Sequence, residues 1–74
     1  MHQPLEPLTE REEDVLAAVA RGLSNAETAA SLQIIRSTVK FHLGSLLTKL
    51  GARSRAELVI FAYESGRTRR STGP

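Results

Sequence analysis

Ile34-Ile35-Arg36-Ser37-Thr38-Val39-Lys40-Phe41-His42-Leu43-Gly44-Ser45-Leu46-Leu47-Thr48-Lys49-Leu50 divides into two faces when wound as an α-helix. Val39, Leu43, Leu46, Leu47 and Leu50 form an apolar stripe, spaced as a buried face should be. Ser37, Lys40, Phe41, Gly44 and Thr48 form a second stripe. It holds one lysine, one aromatic ring and small or hydroxyl residues, and no acid. Solvated helix faces usually mix both charge signs. The stretch therefore reads as a helix with its inner face in a core and its outer face suited to a polyanion.

The flanking sequence repeats one capping grammar. Thr9 is followed three residues later by Glu12, Ser24 by Glu27, and Ser54 by Glu57. Each is the signature of a capping box, in which hydroxyl and carboxylate satisfy each other's backbone N–H groups. Glu10, Glu12, Glu13 and Asp14 also crowd the positive end of the first helix dipole. Val15, Leu16, Val19 and Ala20 supply its apolar face, and Gly22 stops it. The second helix runs from Ser24 to about Leu32. Ala26, Ala29, Ala30 and Leu32 keep it thin enough for close approach by a neighbour. Gln33 and Ile34 form a brief turn. Gly51 ends the opening stretch, and a last helix over about 55–65 is ended by Gly66. No sustained strand alternation is present. The expected fold is all-α, a four-helix domain over residues 9–66. Residues 1–8 form a lead-in whose Leu5 and Leu8 dock on the domain, and 67–74 a disordered basic tail.

Seventy-four residues make one domain with a small core. There is no cysteine, which excludes disulfides and thiolate metal sites and suits a reducing cytoplasm. No apolar run approaches the roughly 20 residues of a membrane span, and no signal peptide is visible. The net charge of +2 hides an uneven distribution. Residues 1–32 set Arg11 and Arg21 against six acids. Residues 33–74 set eight cations against Glu57 and Glu64 alone. A basic half points to a polyanionic partner; a solvated basic surface is the plainer alternative.

Two helices joined by a tight turn of about three or four residues suggest a helix-turn-helix, whose second helix enters the major groove. The motifs go further. Leu8-Thr9-Glu10-Arg11-Glu12, Val15-Leu16, Gly22-Leu23-Ser24-Asn25-Ala26-Glu27, Ala29 and Leu32-Gln33-Ile34 come in order, followed by Thr38-Val39-Lys40-Phe41-His42, Lys49-Leu50-Gly51 and Ser54-Arg55-Ala56. The sequence resembles the C-terminal DNA-binding domain of the LuxR/NarL/FixJ family of bacterial transcription regulators, from about Leu5 to Gly66. The resemblance implies a cytoplasmic regulator that binds double-stranded DNA, in many members behind a receiver or ligand-binding domain. It implies base contacts by Lys40 and Phe41, with Thr38, His42 and Lys49 near the DNA backbone or supporting the helix. Two positions depart from the family. Ile35 stands where a capping serine or threonine is usual, so either Ser37 caps a later start or the helix end is looser. Gly44 stands where relatives often carry a polar or basic side chain.

The individual residues have plainer readings too. Phe41 is either core beside Val39 or an apolar contact for a thymine methyl. His42 lacks a second histidine at helical spacing, so a partly buried place near the DNA backbone is expected rather than a metal site. Arg36 and Ser37 at the front of the recognition helix, about 36–50, and Lys49, Arg53 and Arg55 around the next junction, are expected at phosphates. Arg67, Arg69 and Arg70 belong to a solvated tail or to a loose phosphate contact. On the last helix, Ala56, Val59, Ile60 and Tyr63 form one apolar stripe and Leu58, Phe61, Ala62 and Ser65 another. Two stripes exceed what one small core needs, and a C2 homodimer through the first is expected.

The leading function is sequence-specific DNA binding in transcription regulation. The alternatives are a promoter-binding region of a sigma factor and a helical protein-interaction module without DNA binding. An enzyme is not expected, nor a cofactor. The chain shows no paired nucleophile and base, no glycine-rich phosphate loop and no metal-ligand cluster.

Overall fold

Three of the four helices described begin at a hydroxyl cap. In the computed structural model, which describes residues 7–67, the four are α1 (Glu10–Ala20), α2 (Asn25–Leu32), α3 (Arg36–Leu50) and α4 (Arg55–Glu64). No strand occurs among the described residues. The Thr9 hydroxyl accepts from the Glu12 N–H at 3.1 Å, and the Glu12 carboxylate accepts from the Thr9 N–H at 2.9 Å. Ser24 and Glu27 repeat the exchange at 3.0 and 2.8 Å. The third box forms only by half. Ser54 accepts from the Glu57 N–H at 3.3 Å, but the Glu57 carboxylate passes over Ser54 to the Arg53 N–H at 2.8 Å.

The start of α3 has no side-chain cap. Ile35 holds the extended N-cap conformation, φ −86° and ψ 160°, and offers no acceptor. Ser37 lies inside the first turn, so the helix does not start later with Ser37 as its cap. The end of α3 is better closed. Gly51 takes φ +64°, a left-handed conformation that costs glycine little, and Ala52 N–H then reaches the Leu47 carbonyl at 2.9 Å. Gln33 makes the same turn after α2 at φ +60° without being glycine, and Ile34 N–H reaches the Ala29 carbonyl at 3.0 Å.

The core lies between α1, α3 and α4. Val15, Leu16, Val19, Ala20, Leu46, Leu50, Leu58 and Ala62 are buried together, with Leu8, Leu43, Leu47, Val59 and Phe61 packed on the margin. Val39 is also fully buried. α2 packs chiefly on α3 and buries Thr28 and Ala29, while Ala26 and Ala30 face outward. The thinness expected of α2 thus serves contact at Ala29, with Leu32 partly buried against the core. Thr28 Oγ1 is buried with no hydrogen-bond partner.

The tail expectation needs correction at its first residue. Arg67 is ordered: its guanidinium donates to both Glu13 carboxylate oxygens, at 2.8 and 2.9 Å, and lies 5.1 Å from the Phe61 ring centre. The expectations for Leu5 and for the chain beyond Arg67 fall outside the described residues. No helix is long and apolar enough to cross a membrane among the described residues.

Candidate nucleic-acid interface

α3 turns its second stripe outward. Arg36, Ser37, Lys40, Phe41, Gly44 and Thr48 are all exposed, while Val39, Leu46 and Leu50 are buried behind them. Phe41 is 72% exposed, which removes the core reading of its ring. Its edge meets the His42 ring, with centres 5.7 Å apart and planes at 66°. His42 and Thr38 are half-buried on the flank of this face. Neither Arg36 nor Lys40 has an ion pair among the described residues. From Glu27 to Glu57 the sequence between them contains no acid, so nothing on α3 itself opposes these cations.

A shallow groove runs along this face, lined by Lys40, Phe41, Gly44, Ser45, Thr48 and Lys49. A second hollow lies at the start of α2, lined in part by Ser24, Asn25, Arg36 and Arg55. Arg55 donates to the Asn25 side-chain oxygen at 2.8 Å and to the Leu23 carbonyl at 2.6 Å. It ties α4 to the loop before α2 while remaining exposed. Arg53 projects into solvent with its Nε 4.0 Å from a Glu57 oxygen.

Lys49, expected at a phosphate or in support of the helix, is turned inward. Its ammonium donates to Glu12 Oε1 at 2.8 Å, its side chain is 17% exposed, and it also reaches the Pro7 carbonyl at 3.4 Å. Ser45 Oγ donates to the other Glu12 oxygen at 2.6 Å. Burial by itself would raise the Glu12 pKa. The hydrogen bonds from Lys49, Ser45 and the Thr9 N–H, with the Lys49 charge, outweigh it and hold the carboxyl at about 2. In the sequence Glu12 reads only as a residue of the helix start, in the capping box and at the dipole's positive end. The signal for more was the pair Ser45 and Lys49, polar at i and i+4 on the edge of the apolar stripe.

On α4, Ala56, Ile60 and Tyr63 are exposed and Val59 is half-buried, while Leu58 and Ala62 are buried in the core. One of the two stripes is therefore spent on the domain and the other lies open. Among the described residues, no group of three or more His, Cys, Asp or Glu is arranged to hold a metal.

Comparison with known proteins gives this geometry a context. The GerE pattern, bacterial regulatory proteins of the luxR family, matches residues 6–62. The probable transcriptional regulatory protein SgaR of Hyphomicrobium methylovorum is 52% identical over 78% of this chain and 28% of its own length. The nitrate/nitrite response regulator protein NarP of Escherichia coli is 48% identical over 85% of this chain and 30% of its own. The crystal structure of the response regulator ChrA, from a heme-sensing two-component system, superposes with a TM-score of 0.76 at 36% identity, covering 85% of this chain and 31% of that one. The chain thus spans under a third of the length of these relatives.

Proposed function

The chain belongs to the luxR family of bacterial regulatory proteins, and on that footing we propose that residues 9–66 bind double-stranded DNA sequence-specifically to regulate transcription. The observation that carries the reading is the exposed, acid-free outer face of α3. α3 lies in the major groove, with Lys40 and Phe41 at base edges. Arg36, Ser37, Thr38, His42, Arg53 and Arg55 face the sugar-phosphate backbone. Lys49 acts from behind, by fixing α3 to α1 through Glu12. Two copies meet through Ala56, Val59, Ile60 and Tyr63 and read half-sites related by a dyad. Relatives named as response regulators support a receiver or ligand-binding domain as the module that controls this one, in the bacterial cytoplasm.

Selection of bound duplexes from a random library tests this reading. Dyad-related half-sites should be enriched, with binding that weakens as salt rises. Lys40→Ala should weaken binding to the enriched duplex by about 1–3 kcal/mol while helical content stays intact. A library that yields no enriched duplex, beside salt-insensitive binding of a protein partner, overturns it in favour of an interaction module.

A further inference from the structure

We infer that the opening over Gly44, beside Phe41, is a recess for the C5-methyl group of a pyrimidine, and that Gly44 sets specificity by leaving it empty. The inference rests on the DNA-binding reading of α3. A Cβ built on Gly44 meets no atom within 4 Å, so nothing in the domain fills the space. Phe41, one turn away at i−3, lines the same groove as Gly44. A glycine in mid-helix weakens the helix, and this one is exposed, in helical conformation and free of any close approach, so the fold gains nothing from it.

The chemistry of the groove favours a methyl group. Two of its polar lining residues, Ser45 and Lys49, turn their hydrogen bonds inward to Glu12. Among the described residues, Lys40 remains as the groove's unpaired cation and Thr48 as its free edge, beside Phe41 and the bare backbone of Gly44. In the major groove a thymine presents its C5-methyl, and a 5-methylcytosine presents the same group at the same carbon. The acid-free face admits the surrounding phosphates, and the recess takes the apolar projection.

The whole chain is titrated with the duplex it selects, with each thymine replaced in turn by deoxyuridine and, in a second series, each cytosine by 5-methylcytosine. Deoxyuridine at one position per half-site should weaken binding by about four- to tenfold, the loss expected for one buried methyl in a well-packed contact. Phe41→Ala and Gly44→Leu should both reduce that loss to under about twofold, with circular dichroism showing that each remains helical. Tighter binding on methylation of one cytosine assigns the recess to the methyl alone; an effect confined to thymine assigns it to the methyl beside the thymine O4. Binding without an effect of about twofold in either series overturns the inference and leaves DNA binding standing. A deoxyuridine effect that survives Gly44→Leu also overturns it. Failure to select any duplex overturns both.

Discussion

Lys49 and Glu12 meet at 2.8 Å across 37 residues of chain, with the Glu12 side chain only 5% exposed. The contact joins the first turn of α1 to the last turn of α3, so a residue that caps one helix also anchors the other. The family resemblance offered Lys49 as either a backbone contact or a support. The ion pair shows the Lys49 charge already engaged inside the domain.

The Glu12 network should show itself in acid. Glu12→Gln leaves the Lys49 ammonium without its counter-charge and should destabilise the domain by roughly 2–4 kcal/mol near neutral pH. The folded carboxyl titrates at about 2 against an ordinary 4.5. Its stabilisation is therefore fully present above about 4.5 and is lost as pH falls toward 2. Denaturant unfolding of wild type and variant should give a constant gap down to about pH 4.5 that closes below it. A gap that is absent at pH 7, or unchanged at pH 2, contradicts the role given to this carboxylate.

Salt dependence separates the cations. Arg36→Ala should reduce the slope of log K against log salt by about 0.9, the value for one phosphate neutralised. Lys49→Ala should leave the slope unchanged and lower the unfolding midpoint instead, because its charge is already paired inside the domain. Equilibrium titrations at several salt concentrations, under conditions where both variants are folded, distinguish the two. A change of slope at Lys49 and none at Arg36 would reverse the assignment.

Two positions are poorly matched to their surroundings and should be improvable. Ile35 has N-cap geometry, is 68% exposed and makes no cap hydrogen bond, so Ile35→Ser should stabilise by about 1 kcal/mol. Thr28 buries a hydroxyl with no partner, so Thr28→Val should also stabilise by about 1 kcal/mol by removing it at nearly constant shape. Thermal or denaturant melts check both. Destabilisation by Thr28→Val would mean that the hydroxyl is satisfied.

The open stripe of α4 should control assembly rather than folding. Ile60 is 53% exposed, so Ile60→Arg should leave stability within about 0.5 kcal/mol of wild type. It should at the same time abolish cooperative binding to a dyad-symmetric duplex. Sedimentation of the complexes reads the stoichiometry. A variant that still places two copies on one duplex with unchanged affinity would remove this face from the interface.

The helices were legible because their boundaries are local. Thr9 and Glu12, Ser24 and Glu27, and the glycines at 22, 51 and 66 act within a few residues of themselves. The outer face of α3 was legible for the same reason, since periodicity separates Lys40 from Val39 and Leu46, while Phe41 stood open between core and surface until its exposure placed it. Contacts between distant residues were not. Glu12 and Lys49 each had a sufficient local explanation, and only packing shows that they pair. Arg67 was hidden by composition: in a basic, polar stretch nothing marks it as the residue that finds Glu13 and Phe61. Glu57 capped more loosely than its spacing implied because the Arg53 N–H lay within reach of the same carboxylate.

The Arg67 clasp has a mechanical meaning. It fastens Arg67, just after α4, to Glu13 on α1, the helix that the lead-in enters through Pro7 and Leu8. A tether joined at either end therefore pulls on α1, which passes the load to α3 directly through the Glu12–Lys49 pair and the α1–α3 packing. Both ends of the described chain are thereby braced, through α1, against the helix whose outer face lies open.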